Sequence, residues 1–454
     1  MRNIIQTLSL SIGKDAEIAT DLPNRIVTDS RQATEGSVFV AIKGERVDGH
    51  QFIPAVLKQG ASVVICEADH DLDPAHLNRA IVVKSSLVFL QELARAWRKT
   101  LNDLKLIALT GSSGKTTAKE LLSLGLKDLG QGAHTLGNFN NELGVPLTIL
   151  RIKESDRFAI VEMGARHTGN IKFLCELANP DIGIILNIGS AHVGEFGSFE
   201  ALRNCKQEMF TATRESMVAI CPSDDENSLA VAKKHHTKVI SFGDQKPCDI
   251  YIENVNYTDD AGLKITLKTG GEKQTLNFPI AHDSYPKHLS CVVAVRQALQ
   301  MSEPLKGNAF DEYRSIPGRY YKVEKSGKTI IDDSYNANPE SMNMGIQSFS
   351  RSFFAKDSAL VLGDMLELGE TSEELHRNTG HLVASIDPKL LVTVGKLSKS
   401  IGEGAKEEGF QGDRHLHYEK VEDLIAQQPS WPHNIFIKGS RGIALDKLIA
   451  VFDS

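Results

Sequence analysis

Apolar residues along this chain fall in short runs that alternate with stretches of helical spacing almost from end to end. Runs such as "GSVFVAIKG", "SVVICEA" and "RAIVVKS" read as strands, and "LQELARAWRKTLNDL" as a charged helix. That alternation predicts an α/β chain with mostly parallel strands. No internal repeat or low-complexity tract interrupts it.

Three blocks separate. The first, residues 1–100, holds "NRIVTDSRQ" and the runs just quoted. The second, 101–315, opens with "LKLIALTG" feeding directly into the helical pattern "GKTTAKELLSLGLKDLG", and continues through strands at "RFAIVEMG", "IGIILNIG", "MVAICPSD" and "KVISFG". Around 249–280 the period changes to two in "DIYIENVNYT", "GLKITLKT" and "KQTLNFPI", which predicts an antiparallel ribbon appended to the sheet. The third block, 316–454, has strands at "KTIIDDS", "SALVLGD", "LLVTVG" and "HNIFIKG", with Pro317-Gly318 as a hinge marker at its start. The expected fold is three α/β domains: an N-terminal one, a central P-loop-type sheet with its ribbon, and a C-terminal Rossmann-like one.

Length agrees, since 454 residues exceed what one core serves. A net charge of −7 offers no electrostatic footprint for nucleic acid or anionic membrane, so phosphate-bearing ligands need local basic and backbone groups. The six cysteines are scattered without C-x-x-C spacing, which fits neither a disulfide framework nor a thiolate zinc site. The N-terminal "MRNIIQTLSLSIGKDAE" lacks a cleavage site, and no apolar stretch reaches membrane-spanning length. A cytoplasmic protein without membrane insertion is expected.

The sharpest chemical signal is "ALTGSSGKTT", residues 108–117. A standard phosphate loop reads G-x-x-x-x-G-K-[ST], and here Leu109 stands where its first glycine belongs. The context is nonetheless that of an anion site: strand, glycine-bearing turn, helix start. Gly111, Ser112, Ser113 and Gly114 would bring backbone to phosphates, Lys115 would reach the β and γ oxygens, and Thr116, followed by Thr117, would ligate Mg²⁺. A tight turn with a solvated lysine is the competing reading of so short a motif. Glu162 ends the run "RFAIVE" and His192 follows "IGIILNIG", so Lys-Thr, Glu and His sit at three strand-to-loop junctions. Parallel sheets place ligand sites there, and together these residues describe a nucleotide–metal cleft.

At this point the motifs resemble a known family. "TGSSGKTT", "GNFNNELGVPLTIL" (137–150), "VEMGARHTGNI", "NIGSAHVGEFGS", "DDSYNANPESM" (332–342) and "VLGDMLELGE" (361–370) resemble, in order, those of the Mur ligases of bacterial cell-wall synthesis. The likeness runs from residue 28 to residue 446, and the short G-x-x-G-K-[ST] loop is that family's own version.

The resemblance implies an ATP-dependent amide ligase with a UDP-sugar domain, an ATP domain and a domain for the incoming amine. Within the family the likeness is greatest to members joining D-Ala-D-Ala to UDP-MurNAc-tripeptide, which makes these two small molecules the expected partners of a monomer. It implies ATP and two Mg²⁺ ions, with Thr116, Glu162, His192 and Lys206, the last as a carbamate, as ligands, and with Lys115, His192 and Lys206 as catalytic residues. It assigns Ser30, Arg31 and Lys43 to the UDP-sugar, Asn138, Asn140, Asn141 and Arg166 to the UDP-sugar and peptide side, and Lys438 and Arg441 to a peptide carboxylate. Arg319 would reach back to the ATP phosphates on closure, with Asp333 and Asn336 as further nucleotide contacts. One segment departs from the family's H-N-x-x-N-A-L-A-A pattern: here Lys287, His288 and Cys291 stand at its histidine and asparagine positions, so no adenine contact is assigned between 285 and 295.

A related ligase adding another amino acid or acting on folate is the nearest alternative. A P-loop switch or transport ATPase is a different class, and a bare nucleotide-binding module is the plainest. Against the second stand the absence of N-K-x-D and of an apolar strand ending in a Walker-B aspartate before the cleft.

Overall fold

The computed structural model describes residue 5 and residues 25–67, 74–189, 193–258 and 261–453. Three sheets follow one another along the chain. The first has four parallel strands in sequence order, β1 (Ile26–Val27), β2 (Val38–Val40), β3 (Val63–Glu67) and β4 (Ala80–Val83).

The central sheet has nine: β5 (Lys105–Thr110), β6 (Gly132–His134), β7 (Phe158–Glu162), β8 (Ile182–Ile185), β9 (Val218–Pro222), β10 (Lys238–Gly243), β11 (Ile250–Tyr257), β12 (Leu263–Thr269) and β13 (Glu272–Phe278). Their order is β13-β12-β11-β10-β9-β8-β5-β7-β6, parallel from β6 to β11, with β12 and β13 added antiparallel. The period-two segment is thus the expected ribbon, its burial alternating along β12 from Leu263 to Leu267.

The third sheet has β14 (Tyr321–Lys325), β15 (Lys328–Asp333), β16 (Ser358–Gly363), β17 (Leu390–Val394), β18 (His415–Tyr418) and β19 (Asn434–Lys438). It runs in the order β14-β15-β19-β16-β17-β18, parallel except at the β14 edge. Pattern reading missed β6, β14 and β18, and β14 ("YKVEK") is an edge strand of alternating charge. β6 and β18 are short edge strands ("GAH", "HLHY") without an apolar run.

The helix after the first sheet spans Ser86–Thr100, starting four residues before the charged run because the Ser85 hydroxyl accepts from Val88 N at 3.4 Å. Its buried face, Phe89, Leu90, Leu93 and Trp97, packs into one core with Leu147, Ile149 and Ala159 of the central unit. Each such side chain contributes about 1.5–3 kcal/mol on burial. Trp97 Nε1 also donates to Ile152 O at 3.0 Å. First and central units therefore share apolar packing and are not merely tethered.

Arg98 pins the same junction from its polar side. Its guanidinium donates to Ala178 O (3.1 Å), Leu101 O (3.0 Å), Asn179 O (3.3 Å) and Asp181 Oδ2 (3.0 Å). Removing it leaves several acceptors without a donor in a nearly buried place. Arg98→Ala should destabilise the fold by about 3–5 kcal/mol and lower the first thermal transition by roughly 5–10 °C. Scanning calorimetry checks this, and a shift within error would show that the apolar contacts alone hold the junction.

Candidate active site: a phosphate loop facing a second domain

In the central sheet β5 lies between β7 and β8, its neighbours on opposite sides. The connections leaving β5, β7 and β8 therefore open at the same carboxyl edge, where the strand order reverses. After β5 the chain turns at Gly114, with φ of 75°, into the helix Lys115–Gly125. A Cβ on Gly114 would stand 2.4 Å from His288 Nε2, so backbone conformation and space both require glycine. The first N–H groups of this helix have no intrahelical acceptor, which makes its start an anion site. Lys115 folds over it, its ammonium 2.6 Å from Gly111 O. Burial lowers the Lys115 pKa, against the attraction of Glu162.

β7 delivers Glu162, only 3% exposed. Its carboxylate accepts from the Thr116 hydroxyl at 3.2 Å and from Asn140 Nδ2 at 2.9 Å. Its backbone N–H donates to Thr135 Oγ1 at 3.0 Å, which fixes the end of the strand. Thr116 and Glu162 together present hydroxyl and carboxylate oxygen, a donor set suited to a hard cation such as Mg²⁺. Lys206 lies on the helix Phe199–Thr211 and is 2% exposed. Burial and then the Lys115 charge bring its pKa down to about 7. His192 lies outside the described residues.

From β8 comes Asn187, whose side-chain oxygen accepts from Ser112 N and Ser113 N at 3.0 Å each. The third unit supplies the opposite wall. Gly318, with φ of 80°, donates its N–H to Asp332 Oδ2 at 2.8 Å, and the next residue, Arg319, reaches across to Thr116 Oγ1 at 3.3 Å. The Arg319 guanidinium lies over the Tyr335 ring, 3.9 Å from its centre. Beside it, Lys438 Nζ donates to Asp333 Oδ2 at 2.6 Å and to Asn336 O at 3.0 Å.

Between these walls is a cavity of about 270 Å³ bounded by Ser112–Gly114, Asn187, Arg319, Asp333, Asn336 and Lys438. Its inner end is apolar and aromatic, with Leu186, Phe242, His282, Tyr285 and His288. Burial lowers both histidines to about 3, so each ring is neutral. His282 Nδ1 accepts from Ser284 N at 3.1 Å, which leaves its hydrogen on Nε2. Apolar and aromatic side chains beside a helix start with free amides make a wall of the kind a nucleotide base stacks against.

Known proteins agree with this geometry. The Mur ligase middle domain pattern matches residues 109–283, the Mur ligase family catalytic domain pattern matches 24–98, and the pattern described as Mur ligase, glutamate ligase domain matches 318–441. The UDP-N-acetylmuramoyl-tripeptide–D-alanyl-D-alanine ligase of Bacillus subtilis is 32% identical, covering 93% of this chain and 92% of its own. The chain belongs to the Mur ligase family. The corresponding Escherichia coli ligase is 30% identical over 93% and 92%. Among solved structures, MurF from Acinetobacter baumannii superposes with a TM-score of 0.86 at 29% identity, covering 99% and 98% of the two chains. MurF from Thermotoga maritima, solved with ADP, gives 0.81 at 28% identity over 94% and 97%. This Mur ligase is an ATP-dependent enzyme with the three-domain α/β architecture of those structures.

Within that frame the residues singled out from sequence separate into groups. Gly111–Thr117, Glu162, Arg319, Asp333, Asn336 and Lys438 gather around one cleft. Lys438 thus meets Asp333 there, whereas Arg441 is exposed, paired with Asp446 at 3.0 Å, and borders a smaller neighbouring cavity with Asn336 and Glu367. The three loop asparagines divide: Asn140 holds Glu162, Asn141 Oδ1 accepts from Leu143 N and Gly144 N at the next helix start, and Asn138 is exposed. Ser30, Arg31 and Lys43 lie in the first unit, where Arg31 is clamped by Asp29, Nη2 to Oδ2 at 2.7 Å. Arg166 is exposed.

Pattern reading missed Asn187, His282 and Tyr285. A polar residue directly after a fully apolar strand was the available signal for Asn187. His282 and Tyr285 had none, because their role depends on which walls meet.

Gly114→Ala combines a strained φ with a collision against His288, a penalty of about 1–3 kcal/mol that should weaken ADP binding by roughly tenfold or more. Titration calorimetry with ADP, alongside circular dichroism to verify folding, measures it. Undiminished ADP affinity would mean that the loop does not hold the phosphates.

Proposed function

We propose that this enzyme joins D-Ala-D-Ala to UDP-MurNAc-tripeptide at the expense of ATP, giving UDP-MurNAc-pentapeptide, ADP and phosphate for peptidoglycan synthesis. The observation that carries the reading is the contact between Arg319 and Thr116: a second domain sets a cation on the phosphate loop itself. An enzyme that activates a carboxylate needs that closure, since an acyl phosphate exposed to water hydrolyses. The substrates follow from the named relatives at 30–32% identity, which match over nearly the full chain.

A carboxylate is a poor electrophile at neutral pH. Its oxygen attacks the γ-phosphorus of ATP, the β–γ bridging bond breaks, and ADP leaves with that electron pair. The resulting acyl phosphate has a good leaving group. The dipeptide's amine attacks the carbonyl carbon, the tetrahedral oxyanion collapses, phosphate departs and the nitrogen loses a proton. Lys115 and Arg319 neutralise the charge gathering on the transferred group, and the helix start orients it.

Thr116, Glu162, His192 and Lys206 as a carbamate would hold Mg²⁺, which supplies charge neutralisation on the phosphoryl oxygens. Lys206 fits carbamylation because burial favours its neutral, nucleophilic amine. The first unit, residues 1–100, would bind the UDP-sugar through Ser30, Arg31 and Lys43, the central one, 101–315, ATP, and the third, 316–454, the dipeptide near Arg441. Asn138 and Arg166, both exposed, would face the tripeptide. A cytoplasmic monomer suits an enzyme of ATP and UDP-linked substrates, and among the described residues no helix is long and apolar enough to cross a membrane.

Phosphate release from ATP tests the assignment. Turnover should require UDP-MurNAc-tripeptide and D-Ala-D-Ala together; substrate-independent hydrolysis would move the protein to the ATPase class, and turnover with another amino acid to a sister ligase.

Lys206→Ala should lower kcat by roughly a hundredfold or more and regain part of it with added short carboxylic acids. Carbon-13 bicarbonate should label the wild type with a carbamate resonance absent from the variant. Full activity in Lys206→Ala would remove the residue from the site.

A further inference from the structure

We infer that Asn187 is the positioning residue that holds the shortened phosphate loop in shape, and that ATP phosphates are met by amides from Gly114 onward, not by those of Ser112 and Ser113. The inference rests on the reading that this loop holds ATP.

Asn187 follows the apolar run Ile182–Leu186, and its carboxamide is turned onto the loop beside it. Oδ1 accepts two backbone N–H groups, Ser112 N and Ser113 N, both at 3.0 Å. Nδ2 returns a hydrogen to Ser113 O at 3.0 Å. Ser112 N is also 3.2 Å from the Asn187 carbonyl oxygen. One side chain thus satisfies three backbone groups of two consecutive loop residues, filling both acceptor positions of Oδ1.

A second brace lies two residues further on. Gly189 N donates to Ser112 Oγ at 3.0 Å, and that hydroxyl lies 3.2 Å from Gly189 O. The two segments come so close that a Cβ on Gly111 would stand 3.1 Å from Leu186 Cβ.

The physical consequence concerns which donors remain for an anion. A longer phosphate loop cradles phosphates with consecutive backbone N–H groups of its own. Here Leu109 occupies the first-glycine position inside β5, so the loop is too short to wrap in that way. Its first two serine amides already point at Oδ1, and the amides of the helix start, Gly114 to Thr117, are left for the phosphates. Asn187 touches no phosphate in this scheme. It acts through the loop, by stopping Ser112 and Ser113 from relaxing and carrying Gly114 and Lys115 with them.

Amide hydrogen exchange by NMR on the full-length wild-type protein, with and without ADP and Mg²⁺, tests this directly. Ser112 and Ser113 amides should be protected in the nucleotide-free enzyme and change little on ADP binding, while Gly114–Thr117 gain protection. Exchange-labile serine amides that become protected only with ADP would overturn the inference. Absence of any ADP effect at Gly111–Thr117, with ADP bound by calorimetry, would overturn the ATP reading of the loop itself.

In the ligase assay Asn187→Ala should raise KM for ATP about tenfold or more, as expected for losing three loop-shaping hydrogen bonds, with KM for the other two substrates unaffected. Equal losses for all three substrates, or none, would contradict a positioning role. Should the variant fail to fold, the wild-type exchange pattern decides alone.

Discussion

A buried carboxylate surrounded by cations is the constraint on which the rest of the site depends. Glu162 is nearly sealed from water, and a charge so placed requires partners on every side. Thr116 and Asn140 provide hydrogen bonds, and Lys115 provides charge. Lys206 and Arg319 crowd the same space, and the repulsion is visible in Lys206, whose pKa falls to about 7 through burial and then through Lys115. Lys115 and Arg319 face the carboxylate as cations, whereas burial leaves Lys206 poised between its charged and neutral forms. Asp283, Asp333 and Glu340 line the same cleft beside Lys287, Arg319 and Lys438, so its walls carry mixed charge and Glu162 is the carboxylate set directly against the loop.

The sheet order makes that crowding possible. With β5 between β7 and β8, three connections carrying Lys115–Thr116, Glu162 and Asn187 leave the same edge of one rigid layer. Closely packed apolar strands fix their starting points: Leu106–Thr110, Phe158–Glu162 and Ile182–Ile185 are buried throughout. The first unit is joined to this layer by the shared core around Trp97, so a substrate held on it has a defined position relative to the loop. The third unit meets the layer through mixed contacts: Arg319 on Thr116, Asp283 N to Ser348 Oγ at 2.9 Å and Arg351 Nη1 to Asp283 Oδ1 at 2.6 Å, with Ile280 packed on the third unit's core and the His282 ring 4.5 Å from that of Tyr320. A continuous shared core on one side and a joint richer in polar contacts on the other predispose the third unit to be the part that opens.

How much of this was legible in the sequence depended on how local each feature is. The alternation of apolar runs and helical spacing identified the long buried strands, and the change to period two identified the ribbon, because burial writes itself directly into residue choice. The sharp turn at Gly114 into the helix carrying Lys115 and Thr116 was readable because a strand-to-helix junction of this shape needs a fixed order of residue types. Edge strands such as Gly132–His134 left no apolar trace. His282, Tyr285 and Asn187 serve through contacts made by residues far apart in the chain, and nothing in their own neighbourhoods announces that. The asparagines of "GNFNNELG" show the opposite difficulty: one motif, three destinations, with Asn140 turned to Glu162 and Asn141 spent on a helix start.

The position of Arg319 links bond formation to the choice of a two-walled cleft. Its guanidinium is stacked on Tyr335 within its own domain, so it arrives at the loop already oriented, with less side-chain freedom left to lose. Lys115 and Thr116 alone would favour phosphoryl transfer to any nucleophile, water included. Placing Arg319 on a separate unit makes full charge neutralisation conditional on that unit being seated, and in the arrangement seen here the cleft between the two units encloses about 270 Å³. Activation of the carboxylate and exclusion of water then occur in one event. That coupling turns a loop of the kind used for hydrolysis into part of a bond-forming site.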